Sequence, residues 1–141
     1  MTDKQTGSTK DAGFQMGIRR TFSIPVNKVW EFLFSDEGLL IWLGKTNELE
    51  WKKGEPFRTS NRTDGMVRVF SPLSHIRITW KKKGWENSSL VQMRTIKGKN
   101  KTTIAFHQDR LTGPEQRDEM LKHWEKILNK LEKNLTNKII G

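Results

Sequence analysis

Residues 89–108 read SLVQMRTIKGKNKTTIAFHQ, and the way they are read decides the fold. Val91, Met93 and Thr95 fall together on one face of Ser89–Lys97, and Thr102, Ile104 and Phe106 share a face of Lys101–Gln108. Gly98-Lys99-Asn100 between them is a turn signal. A period of two with one apolar face marks a half-buried strand, so the stretch predicts an antiparallel hairpin. Upstream, His75–Lys82 carries Ile76, Ile78 and Trp80 on one face. Met66–Phe70 stops at Ser71-Pro72. Before it, Leu49-Glu50-Trp51 leads through a Lys52–Glu55 turn into Phe57–Ser60. The pattern predicts a run of short antiparallel strands from Leu49 to Gln108, and Phe14, Met16, Ile18, Arg20 and Phe22 add a first strand.

Helical spacing occurs at both ends of this run. Val26, Val29, Trp30, Leu33 and Phe34 recur at three and four after Ile24-Pro25. Pro25 suits a first helical position, because its missing N–H would be unpaired there. Ser35-Asp36-Glu37 is an N-cap followed by acids, and a second short helix runs through Leu39, Leu40 and Trp42 to Gly44. Near the end, Thr112-Gly113-Pro114-Glu115 starts a long helix. Its apolar stripe is Leu121, Trp124, Leu128, Leu131 and Leu135, flanked by Met120 and Ile127. A sheet with one apolar face and a helix with one apolar stripe bury each other. The expected class is α+β: a curved antiparallel sheet of about six strands, two short helices, and one long C-terminal helix across it. Residues 1–12 are expected to be a disordered arm, 13–136 a single domain and 137–141 a tail.

The chain has 141 residues, 26 Lys and Arg against 16 Asp and Glu, six Trp, seven Phe and no Cys. Without Cys there is neither a disulfide framework nor a Cys-ligated metal site. No apolar run approaches the roughly 20 residues of a membrane helix, and Met1–Ala12 lacks a signal peptide's apolar stretch, so the cytoplasm is the expected compartment. The net charge of +10 is unevenly placed: residues 65–110 hold ten basic side chains and two acidic ones. Lys81-Lys82-Lys83 and Lys97, Lys99 and Lys101 suggest phosphate contacts. A meander, however, puts the two clusters at opposite ends of a strand, about 30 Å apart. Nucleic-acid binding is therefore disfavoured against a solvated basic face. On that face Arg77, Lys81, Arg94 and Lys101 are the candidate contacts for an acidic partner.

Several motifs recur together along the chain. They are Ser23-Ile24-Pro25-Val26 with Val29-Trp30, Asp36-Glu37-Gly38 with Trp42, His75–Trp80, Lys101–His107, and Arg117, Met120, His123-Trp124 and Leu128. In this order and spacing the chain resembles the helix-grip fold of the START-like (SRPBCC) superfamily. More closely, it resembles the family named after the C-terminal domain of the activator of heat-shock protein 90 ATPase. The resemblance covers Phe14 to Leu135. It implies a cavity between the long helix and the sheet that takes small apolar or amphipathic ligands. That family has no fixed catalytic set, so the resemblance transfers no catalytic residue.

Six Trp are too many for surface use, since each buries roughly 150–250 Å² when packed. Trp80, Met93, Phe106 and Trp124 face one interior and are the first candidates to line a ligand pocket. Leu39 and Trp42 would guard its mouth, with Phe57 and Val67 next. His75, His107 and His123 are expected to be surface or satisfied polar residues, for no metal-ligand spacing surrounds them. No nucleophile elbow or phosphate loop is present. The expected function is a small-ligand-binding module without a cofactor or metal, monomeric or weakly dimeric, holding an apolar or amphipathic molecule between sheet and helix. The alternative is a co-chaperone-like domain that stimulates a heat-shock protein 90 ATPase through the basic face. A polyketide-cyclase-like enzyme is the third reading.

Overall fold

The period-two pattern of the middle third becomes the pleat of a single sheet. The computed structural model describes residues 8–9 and 13–139, with side chains from 13 to 137. The strands are β1 (Ser8–Thr9), β2 (Gly13–Phe22), β3 (Pro56–Arg58), β4 (Asp64–Ser71), β5 (His75–Trp80), β6 (Ser89–Gly98) and β7 (Lys101–Leu111). The helices are α1 (Val26–Leu33), α2 (Asp36–Trp42) and α3 (Pro114–Ile139). All strands join one antiparallel sheet in the order β1-β2-β7-β6-β5-β4-β3, and α3 lies across its apolar face. The expected α+β class is the observed one. Six strands become seven once the two-residue β1 is counted. It pairs Ser8 and Thr9 with Phe14 and Gly13, and the rest of the expected arm lies outside the described residues. At the other end α3 continues through Asn137 into the expected tail.

Burial alternates along β5, along β6 as far as Thr95, and along most of β7, as the hairpin pattern requires. Trp80 pairs with Ser89 at one end of β6 and Gly98 with Lys101 at the other. The two Lys clusters therefore sit at opposite ends of the sheet. Two expectations need correction. Leu49–Trp51 is not a strand. Its alternation is real, but no neighbouring strand lies beside it, and the sheet edge begins only at Pro56. Leu121 is not in the helix stripe. It is 39 % exposed, while Met120 is 1 % exposed and packs inward with Trp124, Leu128, Leu131 and Leu135. Centred on Trp124, the 3.6-residue period puts Leu121 at the edge of the apolar arc and Met120 inside it.

Local chemistry holds the first half in place. Pro25 sits at the N-cap of α1 with φ −63°, one position before the helix. Ser35 Oγ accepts from the Gly38 N–H at 3.1 Å, and Asp36 and Glu37 occupy the first turn of α2. Gly38 is required there, since a Cβ would lie 1.9 Å from the Phe32 carbonyl oxygen. The Trp42 Nε1–H donates to the Leu33 carbonyl at 2.7 Å, satisfying an acceptor that the end of α1 leaves open. Thr102 Oγ1 donates to the Ile24 carbonyl at 2.7 Å and ties β7 to the β2–α1 junction. Arg20, on the inner face of β2, reaches α3 and binds Asn129 Oδ1 at 2.6 Å and Glu132 Oε1 at 3.1 Å.

Candidate functional site

The middle of the space between sheet and helix is filled. Trp124 stacks on Phe106 with ring centroids 4.3 Å apart, and Trp80 lies 6.4 Å from Trp124. A buried indole N–H needs an acceptor, and a relay supplies it. Trp124 Nε1–H donates to Gln108 Oε1 at 2.8 Å, Gln108 Nε2 donates to Ser89 Oγ at 2.9 Å, and Ser89 Oγ–H donates to the Trp80 carbonyl at 2.6 Å. Gln108 and Ser89 are buried with it. Of the residues singled out from the sequence, Trp42, Phe57, Val67, Met93, Phe106 and Trp124 are all core side chains. Trp80 and Leu39 reach open clefts, but not the same one.

The cleft at Trp80 has a volume of about 840 Å³ and lies between the first half of α3, the β3–β4 turn and the end of β5. Trp80, Met120 and His123 line it as an apolar floor, and Lys82, Lys83, Lys122 and Lys126 stand round it. The His123 ring packs 5.7 Å from Trp80 and 4.7 Å from Trp124. Burial pushes its pKa down to about 4, and the Lys82 charge adds to the effect. His123 is therefore a neutral imidazole at pH 7, able to hydrogen bond but a poor base. Lys82 is ion-paired with Glu119 at the rim. The sequence placed His123 at the edge of the stripe. It gave no sign that Asn61 and Thr63, some sixty residues earlier, would close the far wall.

Leu39 lines a second cleft of about 720 Å³, together with Phe34, Leu40, Leu49 and Trp51. Phe34 is the hub of the aromatic cluster behind it, with ring centroids at 4.7 Å from Trp30, 5.8 Å from Trp42, 5.0 Å from Trp51 and 5.5 Å from Phe70. Phe34, Trp51 and Phe70 were not singled out from the sequence as pocket residues. Trp51 and Phe70 lie in different segments, and only the fold brings them together.

The four basic candidates do not form one continuous stripe. Arg77 and Arg94 are diagonal neighbours on the outer face, and Arg77 Nη2 donates to Gln92 Oε1 at 2.8 Å. Lys81 and Lys101 are exposed and stand near opposite ends of the sheet. His75 bonds Ser74 Oγ through Nδ1 at 2.9 Å, and desolvation followed by Arg94 and Arg77 lowers its pKa. His107 faces outward and bonds Gln15 Oε1 at 2.9 Å. Among the described residues, no group of three or more His, Asp or Glu could hold a metal ion, and no helix is long and apolar enough to cross a membrane.

An antiparallel sheet gripping a long C-terminal helix, with two short helices inserted after the first long strand, defines a helix-grip protein of the START-like superfamily. The chain belongs to the family described as "Activator of Hsp90 ATPase homolog 1-like protein", whose model matches residues 23–136. No curated protein sequence matches the chain. Among solved structures it is similar to CalU16 from Micromonospora echinospora, with 20 % identity, a TM-score of 0.74, and coverage of 84 % of this chain and 71 % of that one. DynU16, from the dynemicin biosynthetic locus, shares 17 % identity at a TM-score of 0.77. The match covers 86 % of this chain but only 46 % of DynU16. The Aha1 dimer from Colwellia psychrerythraea shares 16 % identity at a TM-score of 0.69, with 86 % and 95 % covered. At these identities the likeness is one of fold.

Proposed function

We propose that the protein is a small-ligand-binding module that holds an amphipathic molecule in the cleft beside α3. The apolar body lies on Trp80, Met120 and the neutral His123 ring, and an anionic head group meets Lys83, Lys122 and Lys126. The observation that carries this reading is an aromatic floor below a rim in which four lysines outnumber Glu119 and Glu125, in an opening of about 840 Å³. Small-molecule sites commonly measure 300–1,000 Å³ and combine an apolar lining with a few placed polar groups. The origin of DynU16 in a biosynthetic locus supports a small organic molecule as the ligand. The ligand occupies the mouth, because Phe106, Trp124 and Gln108 fill the centre.

Titration with anilinonaphthalene sulfonate, which joins an aromatic body to an anionic head, tests the reading by amide shifts. The expected result is saturable binding with shifts centred on Trp80, Met120 and His123. Shifts centred on Phe34 and Trp51, or none at all, overturn it.

A second reading is favoured by the family's own description, which names an activator of the Hsp90 ATPase. On that reading Arg77, Lys81, Arg94 and Lys101 dock an acidic chaperone surface. Stimulation of a heat-shock protein 90 homologue's ATPase that falls steeply with salt would support it.

A further inference from the structure

On the outer face of the sheet, strand register sets cationic and donor side chains round two residues that barely rise above the backbone. Arg19 of β2 and Arg94 of β6 both lie opposite Ala105 of β7. Two residues further along β7, Gly17 and Gln92 both lie opposite His107, and Gln92 in turn lies opposite Arg77. The small side chains at Gly17 and Ala105 leave a depression of about 560 Å³, bordered by Arg19, Arg94, Gln92, His107 and Ile96. At 4.7–4.9 Å between neighbouring strands, the Arg19 and Arg94 backbones stand about 10 Å apart, one on each side of Ala105.

The chemistry of this depression is one-sided. Among the described residues, no carboxylate lines it. Gln92 Oε1 already accepts from Arg77 and His107 Nε2 is engaged with Gln15, which leaves the two guanidinium groups and the Gln92 amide as donors. Arg20, one residue away on the other face, is held by Asn129 and Glu132, whereas neither Arg19 nor Arg94 has an ion pair among the described residues. Asp109, the acid further along β7, is opposite Leu90 and does not border the depression. A recess that is rich in donors and poor in acceptors fits an acceptor-only group, and arginine pairs match planar or tetrahedral oxyanions with bidentate geometry.

We propose that this depression is a second binding site, separate from the α3 cleft, for the phosphate of a small phosphomonoester. The phosphate sits between Arg19 and Arg94 with the Gln92 amide as a further donor. A small molecule is favoured over an acidic protein surface because the site is recessed and bounded. The cations that a broad acidic surface would also touch, Lys81 and Lys101, stand at the far ends of the sheet.

The floor offers a test that spares the fold. A Cβ added at Gly17 would meet nothing closer than 3.9 Å, so the backbone has room for a side chain there, and Gly17→Val puts a branched one into the recess in a residue type that strands favour. The full chain is titrated with inorganic phosphate and with glycerol phosphate at constant ionic strength, reading the amides of Gly17, Arg94 and Ala105. The expected result is saturable, localised shifts that are lost in Gly17→Val and weakened at least about tenfold in Arg19→Gln/Arg94→Gln. Lys97→Gln/Lys99→Gln should leave them unchanged, and circular dichroism should show each variant folded. Shifts spread evenly over all lysines, or binding that survives Gly17→Val, overturn the proposal. A glutamate-rich peptide that binds this face more tightly than glycerol phosphate also overturns it, in favour of a protein partner.

Discussion

At one end of the interior Trp80, Phe106 and Trp124 pack round a hydrogen-bonded relay; at the other, Trp30, Phe34, Trp42, Trp51 and Phe70 pack ring on ring. At the relay end the Trp124 indole is tied to the sheet through Gln108 and Ser89. At the Phe34 end an indole hydrogen bond runs to a backbone carbonyl, from Trp42 to Leu33, and it locks a helix corner. Phe34, Trp51 and Phe70 remain half-buried there, while Phe106 and Trp124 are sealed. The same residue types thus build a sealed wall at one end and a partly open patch at the other. The sealed wall is the one that stands beside the proposed ligand cleft.

Truncation should separate the two ends most sharply. Trp124→Ala should cost about 3–5 kcal/mol in urea unfolding, since it empties a sealed site and orphans Gln108. Phe34→Ala should cost about 1–3 kcal/mol, because a half-buried ring leaves a space that water and neighbours can enter. Equal losses would break the distinction.

Acid should weaken the relay end next. The pKa of His123 is about 4 in the fold against an ordinary 6.5. The unfolded chain therefore binds this proton first, and stability is full above pH 6.5 and declines as pH falls towards 4. The loss amounts to up to about 3 kcal/mol. His123→Gln should flatten that part of the stability–pH curve. An unchanged slope would remove His123 from the account.

The smallest effect expected is that of the relay itself. Gln108→Leu keeps volume but leaves the Trp124 N–H without an acceptor, for a loss of about 1–3 kcal/mol. It should also broaden the amide signals of Trp80 and His123, and a silent variant would show that ring packing alone fixes the wall.

Much of this architecture was legible because it is local. The alternation of Ser89–Gln108, the Ser35 cap and the α3 stripe each depend on neighbours within a few residues. Leu49–Trp51 misled, because alternation reports a face and does not supply a partner strand. The α3 cleft was half legible. Trp80 was singled out, but Asn61, Met120 and His123 join it only when the β3–β4 turn meets the helix. Arg19 was passed over for the same reason. Its place on the polar face of β2 is readable, whereas its position across Ala105 from Arg94 needs a pairing between strands some eighty residues apart.

That pairing also orders events on the ribosome. Among the described residues, β2 has β7 as its sheet neighbour besides the two-residue β1, and Ile24 waits for Thr102 across 78 residues. At roughly 5–20 residues per second the first long strand spends about 4–16 s outside the tunnel with its apolar edge unpaired. The run Arg19-Arg20-Thr21 between Ile18 and Phe22 keeps that waiting strand charged, which discourages pairing with another nascent chain until its own hairpin arrives.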